Sequence, residues 1–233
     1  MKLSVIIPTY NEAGSIEKLL LYLKNSLENA TGWEIIVVDG QSPDGTYEKA
    51  LSQKVTALWS PNKGRAAQMN YGASQAQGEV LYFLHADSFP PNDFFLDINI
   101  AVGEGYEIGC YRLAFDYTHW FLSFNSWFTR FDIDLIRFGD QSLFVTREIF
   151  TKDGGFDEKL LIMEDAEIIP RLRKFGKFKV LSKFVTTSAR KYLDNGIYRL
   201  QGIFFLIYFL FKLGVSQHRL IKIYKGLIKQ SKI

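Results

Sequence analysis

The sequence predicts an α/β fold: a mostly parallel central sheet flanked by helices, followed by a helical C-terminal tail. Three observations predict it. Short apolar runs rich in β-branched residues alternate with stretches of helical periodicity through the first half of the chain. Aspartates stand immediately after two of those runs, Asp39 after the second and Asp87 after the fourth. Residues 195–233 contain no Asp or Glu at all.

The first strand is the apolar run LSVII, residues 3–7. Asn11 is a candidate cap for a helix whose apolar face is Ile16, Leu19, Leu20, Leu23 and Leu27. WEIIVVD (33–39) reads as a second buried strand, SPDGT (42–46) as turn chemistry, and VTALWS (55–60) as a third strand after a short helix. GRAAQMNYGASQA (64–76) is helical, and VLYFL (80–84) is the fourth strand. Strands joined through helices form parallel sheets with right-handed crossovers. Ligands of such sheets bind beyond the carboxyl ends of the strands. Pro8, Thr9 and Tyr10, Asp39, and Asp87 all fall at that edge.

The second half is less regular. EIGCYRLAF (107–115) and QSLFVT (141–146) read as strands, and EDAEIIPRLRKFG (164–176) as a helix in which Pro170 removes one backbone bond and can introduce a bend. Aromatics at 117, 120, 121, 124, 127, 128 and 131 make one helical stripe. Base rates favour core packing for that stripe, and a groove for an apolar or sugar acceptor is the functional alternative.

The chain has 233 residues, 47% of them hydrophobic and 23% charged, which is the composition of a globular protein with a proper core. The only cysteine, Cys110, sits in a strand-like run, where a buried inert thiol is expected, and a single cysteine points to a reducing compartment. The N-terminal apolar run is too short for a signal peptide, so the expected location is the cytoplasm. Charge is divided unevenly. The tail after Asp194 carries seven Lys and Arg, or +7, which leaves −4 on residues 1–194 of a chain whose net charge is +3. That split suits an anionic membrane surface, on the inner face of the cell membrane, better than nucleic acid.

Four segments can carry chemistry. Asp39 could accept hydrogen bonds from a base or ribose, while Asp44 reads equally as a ligand contact or as the cap of a helix beginning at Thr46. Lys63 and Arg65 flank a glycine at a helix start, which suits phosphate. In LHADS, Asp87 is a hard oxygen ligand and His85 could add a nitrogen that Mn²⁺ accepts. Taken alone, Asp87 reads rather as the cap of a segment starting near Pro90. Asp165 follows GGFDEKLLIME at a helix start, where backbone amides favour the carboxylate that could take a proton from a hydroxyl.

The order of these motifs resembles the family 2 glycosyltransferases and their GT-A type fold. PTYNE follows strand one, an Asp and DGT follow strand two, KGRAAQMNYG precedes strand four, a triplet ending in Asp closes that strand, and GGFDE and ED come later. The resemblance runs from about Lys2 to about Arg190, and residues 1–194 form the expected transferase domain with 195–233 as its tail. FGDQSLFV, LIMEDAEI, RLRKFG and TTSAR are similar to a small bacterial subgroup labelled arsenosugar-biosynthesis type glycosyltransferases. The resemblance implies Pro8, Tyr10, Glu12 and Asp39 in a nucleotide pocket and Lys63 and Arg65 by the base or diphosphate. It implies Asp87 on a divalent metal (Mn²⁺ or Mg²⁺) and Asp165 as general base. It implies inverting, metal-dependent transfer from a UDP- or GDP-sugar. The family's Asp-X-Asp triplet begins here with His85, and no Gln-X-X-Arg-Trp motif occurs, which points to single transfer rather than polymerisation.

Two other classes are weighed. A sugar-1-phosphate nucleotidyltransferase would carry a Gly-rich basic loop after strand one, which PTYNEAGS lacks. A membrane-peripheral module that binds a nucleotide sugar without turnover is favoured by His85 in place of an acid. In the tail, IFFLIYFLF (203–211) is too short to span a bilayer, which needs ~20 apolar residues. HRLIKIYKGLIKQ (218–230) has the pattern of a basic amphipathic helix. Membrane contact, which would suit a lipid-linked acceptor, and packing on the sheet or on a second subunit stand as equal readings of this tail.

Overall fold

The computed structural model describes residues 1–134, 137 and 139–229; Phe138 of FGDQSLFV, and Gln230 and Lys232 of the tail, lie outside them. Four strands and their helices make up the first half: β1 (Leu3–Thr9), α1 (Ile16–Ser26), β2 (Trp33–Asp39), α2 (Thr46–Ser52), β3 (Thr56–Trp59), α3 (Arg65–Gln75) and β4 (Val80–Phe83). Then follow β5 (Ser88–Phe89), α4 (Phe94–Gly103), β6 (Ile108–Phe115), α5 (Trp120–Phe128), β7 (Leu143–Thr146), α6 (Arg147–Asp153), α7 (Glu164–Leu172) and β8 (Phe178–Thr187). Three helices close the chain: α8 (Arg190–Asn195), α9 (Ile197–Lys212) and α10 (Gln217–Leu227).

The sheet runs β3-β2-β1-β4-β7-β6-β8-β5. β3, β2, β1 and β4 are parallel, β7 is antiparallel to both neighbours, and β6 and β8 are parallel to each other. The chain winds outward from β1 through β2 to β3, then returns to place β4 on the other side of β1. The order therefore reverses between β1 and β4, which puts a ligand crevice at their carboxyl ends.

Strand periodicity explains why these runs are apolar throughout. Leu3, Val5 and Ile7 of β1, Ile35 and Val37 of β2, and Val80 and Tyr82 of β4 point into a core under α1, α2 and α4. The alternate residues Ile6, Ile36, Val38, Leu81 and Phe83 point into a second core under α3, α6 and α7. Both faces are covered, so neither can be polar. Gly72 lets α3 lie close on this sheet, since a Cβ there would come within 2.6 Å of Ile6.

Two expectations fail here. Asn11 does not cap α1. It adopts a left-handed conformation (φ 55°), and the chain turns once more before the helix opens at Ile16, with Glu12 O accepting from the N–H groups of Ser15 and Ile16. The aromatic stripe of the second half is not core. Of α5 only Leu122 is fully buried, and Trp120, Phe124 and Trp127 face outward. Cys110 is buried as expected, and burial pushes its thiol up to about 12.

A third core joins the tail to the body: Leu200, Ile203, Ile207, Leu220 and Tyr224 pack with Leu122 of α5, Ile162 ahead of α7, and Ala189. The expected boundary at 194/195 falls at the end of α8, and Asn195 is bound to Lys229 on both its side-chain oxygen and nitrogen.

Candidate functional site

The carboxyl ends of β1 and β2 are held by a polar network that links two distant segments. Asp39 is completely buried. Its carboxylate accepts from Ser42 N (2.7 Å), Ser42 Oγ (2.8 Å) and Thr9 Oγ1 (3.0 Å). Three consecutive amides of the PTYNEA loop donate into the turn after β2: Asn11 N to Ser42 Oγ, Glu12 N to Thr46 Oγ1, and Ala13 N to Asp44 Oδ2. Asp44 also accepts from the Thr46 amide at 3.1 Å, so it does cap α2. On the other face, Gln68 Nε2 donates to Thr9 O and Val38 O, tying α3 to both strand ends. Buried carboxylates and amides need such partners, and together they set the loop 8–13 against the turn 39–46.

The second cluster lies where β4 meets β7. His85 Nδ1 stands 3.2 Å from Asp140 Oδ1, and Nε2 stands 3.7 Å from Asp165 Oδ2. Arg65 Nη1 reaches Glu164 at 3.1 Å and Asp165 at 3.3 Å. Burial and the Arg65 guanidinium push the His85 imidazole down, but the Asp140 and Asp165 carboxylates outweigh them and carry it up to about 10. The ring is thus a cation at neutral pH, with both N–H groups turned to carboxylates. Burial raises the Asp165 carboxyl, but His85 and Arg65 outweigh it and hold Asp165 below the usual range. Burial and the adjacent Asp165 push Glu164 up to about 7. Asp165 is the second residue of α7, where free amides also favour its anion.

The structure brings Pro8, Tyr10, Glu12, Asp39, His85, Asp87, Arg65 and Asp165 to one edge of the sheet, as expected, but not with the expected contacts. Tyr10 and Lys63 are exposed, whereas Asp39 offers no surface and orders Thr9 and Ser42. Glu12 accepts from Ser15 Oγ and lies 3.9 Å from Arg190. Arg65 faces acids rather than open space, though much of its side chain remains exposed. The expected second metal ligand, His85, stands with Nδ1 3.2 Å from Asp140 Oδ1 and Nε2 3.7 Å from Asp165 Oδ2. The basic stretch 171–174 is structural: Arg171 is bound to Asp153 and Glu167, and Arg173 to Asp132 and Asp134.

Asp140 was not anticipated. It lies three residues before β7, and β7 runs antiparallel to β4 with Leu143 opposite Phe83, so the segment leading into β7 arrives beside the segment leaving β4. Reading QSLFVT as antiparallel to VLYFL would have found it. Of the other unanticipated members, Ser42 is a polar residue shortly after β2 and Gln68 a polar residue in the first turn of α3, and neither carries a further sequence signal.

Asp87 behaves differently from the acids around it. It does not cap α4, which starts only at Phe94, and among the described residues its carboxylate takes no hydrogen bond. Burial and the Asp140 carboxylate push it above the usual range, with Glu12 adding to the effect. Among the described residues no three His, Cys, Asp or Glu side chains gather closely enough to hold a metal alone. A lone, acid-crowded carboxylate nevertheless fits Mg²⁺ or Mn²⁺ of the kind held by one carboxylate and the phosphates of a ligand.

Residues 4–142 match the family model described as glycosyl transferase family 2. Dolichol-phosphate mannosyltransferase of Pyrococcus furiosus is 37% identical over 113 residues, which are 46% of this chain and 32% of the relative, so the chain spans about a third of that protein's length. Among solved structures, the mannosyltransferase PcManGT from Pyrobaculum calidifontis, in complex with GDP-Man and Mn²⁺, superposes with a TM-score of 0.70 at 18% identity, covering 88% of this chain and 62% of that one. Staphylococcus aureus TarS 1–349 in complex with UDP superposes at 0.65 with 20% identity, covering 81% and 60%. The fold is therefore of the GT-A type.

Proposed function

Because the chain belongs to glycosyl transferase family 2, we propose that it moves a sugar from a nucleoside-diphosphate donor to an acceptor hydroxyl, once per encounter and with inversion. The observation that carries this reading is Asp165: an ionised carboxylate at a helix start, gripped by His85 and Arg65, beside the reversal of strand order. Structural neighbours of the chain bind comparable ligands, GDP-Man with Mn²⁺ in one case and UDP in the other.

The donor's nucleoside sits against Pro8, Tyr10 and Glu12, with the loop held in shape by Asp39 through Thr9 and Ser42. Lys63 and Arg65 face the diphosphate. Asp87 holds a divalent metal, which when bound neutralises charge on the diphosphate. Asp165 takes the proton of the acceptor hydroxyl as its oxygen attacks the anomeric carbon, and the bond from that carbon to the diphosphate oxygen breaks with its electron pair. Attack opposite the leaving group inverts the centre. His85 acts as a positioning residue: its two N–H groups keep the Asp165 and Asp140 carboxylates ionised and apart. A lipid-linked acceptor and membership of the subgroup labelled arsenosugar-biosynthesis type rest on motif likeness and on the character of the tail.

Titration of uridine and guanosine diphosphates, with Mn²⁺ and with chelator, tests the donor site. One of the two binds with metal and loses affinity in Asp87→Ala. Binding of neither nucleotide, together with an unchanged Asp87→Ala, would overturn the assignment.

A further inference from the structure

The helices α5 and α9 turn their aromatic side chains to the outside. On α9, Tyr198, Phe205 and Phe209, followed by Leu213 at its C-terminal cap, recur at helical spacing on the face opposite the buried Leu200, Ile203 and Ile207, with Phe205 57% and Phe209 60% exposed. On α5, Trp120, Phe124 and Trp127 make a second stripe, Trp120 being 67% exposed. The two stripes meet: Tyr198 packs on Phe121 with ring centroids 4.8 Å apart and on Trp120 at 6.2 Å, and Asn125 donates to Gln201. Contiguous exposed aromatics of this kind mark an interaction surface.

Charge identifies the occupant. Cations rim the aromatics: Arg130 lies over Trp127 at 4.5 Å, and Lys212 over Tyr208 at 5.4 Å. The adjoining α10 packs through Leu220 and Tyr224 and turns Arg219, Lys222 and Lys225 outward, and no acid occurs after Asp194. Trp and Tyr beside Lys and Arg is the pairing that settles at the headgroup level of a bilayer. Among the described residues no helix is long and apolar enough to cross a membrane, so α9, with 16 residues, would lie along the surface.

The surface is also near the site. β6 and β4 are both antiparallel to β7, so the carboxyl end of β6, which feeds α5, is at the same sheet edge as His85 and Asp87. The third core runs from Leu122 of α5 to Ile162 and Met163, two residues ahead of Asp165.

We infer that the outward faces of α5 and α9 form a docking surface for an anionic lipid bilayer, seated beside the candidate site. Docking does not depend on the proposed reaction and is read without donor. The full chain is floated with vesicles of phosphatidylcholine alone and of phosphatidylcholine and phosphatidylglycerol in equal parts. Partition onto the anionic vesicles is expected to be at least roughly tenfold stronger, given several cations near the surface, and to weaken with salt. Tryptophan emission shifts to the blue as Trp120 and Trp127 leave water. The double substitutions W120S/W127S and F205S/F209S each lower partition roughly tenfold, the first also abolishing the shift. Melting curves of both variants confirm that they fold. No partition onto anionic vesicles, or partition indifferent to both substitutions in folded protein, overturns the inference. So does a dimer in solution that either substitution dissociates, since the face then belongs to a second copy.

Discussion

At the ends of β1 and β2, the polar groups are bonded to one another across two loops. Asp39 is buried among three donors, and three successive amides of residues 11–13 close onto Ser42, Thr46 and Asp44. On α9 the reverse holds: Phe205, Phe209 and Leu213 stand in water while Leu200 and Ile203 fill a core a turn away. Both regions are well-formed secondary structure beside one site. The difference is in what remains unsatisfied. Among the described residues, the Asp87 carboxylate beyond β4 takes no hydrogen bond, and the helical region keeps an apolar face exposed. A site for a charged ligand needs its other polar groups already bonded, so that they do not reorganise when it arrives. A surface for lipid needs no such order.

The largest test of this contrast is Asp165→Asn. It removes the proton acceptor while leaving the β1–β2 network intact, so transfer should fall about 10²- to 10⁴-fold with nucleotide affinity retained. Wild-type turnover would dismiss the base. Next, Leu200→Ala opens a cavity in the core that joins tail to body, and about 3 kcal/mol should be lost in a single unfolding transition. A separate early transition for the tail would instead make the two regions independent. Asp39→Asn aims an amide NH₂ at groups that donate, and roughly 2 kcal/mol should be lost. Nucleotide binding should fall with it, read as a weaker Kd in folded protein.

Glu164 gives a smaller effect that depends on pH. Its folded pKa of about 7 lies above the ordinary 4.5, so folding favours the protonated form. That contribution is complete below about pH 4.5 and is lost as pH rises through 7. Glu164→Gln should therefore gain on the wild type by roughly 1 kcal/mol between pH 5 and 6, measured by denaturant unfolding. A constant difference would mean that Glu164 stays ionised against Arg65. The smallest effect separates the two regions most sharply: Phe205→Ser with Phe209→Ser should change stability by less than about 0.5 kcal/mol, because neither ring is buried.

Much of the fold was legible. VLYFL and WEIIVVD read as buried strands because both sheet faces are covered, which removes polar residues from the pattern. The helix at 164 was legible through Glu164-Asp165, and it runs on past Pro170 to Leu172. The stripe 117–131 was read wrongly because periodicity shows that a helix has an apolar face, not whether anything covers it. Asn11 was misread because a residue that can cap can equally adopt a left-handed turn.

The sequence by itself determined the strand–helix alternation, the edge at which Asp39 and Asp87 lie, and the charge division between body and tail. These are local or additive properties, set by side-chain period, turn residues and charge counts. Only the tertiary structure decided that Asp39 is sealed while the Asp87 carboxylate takes no hydrogen bond among the described residues, that His85 lies between Asp140 and Asp165, and that the stripes of α5 and α9 face outward together. Those outcomes depend on which distant segments meet. Asp140 reaches His85 across 55 residues because β7 runs antiparallel to β4, and nothing in either segment alone records that pairing.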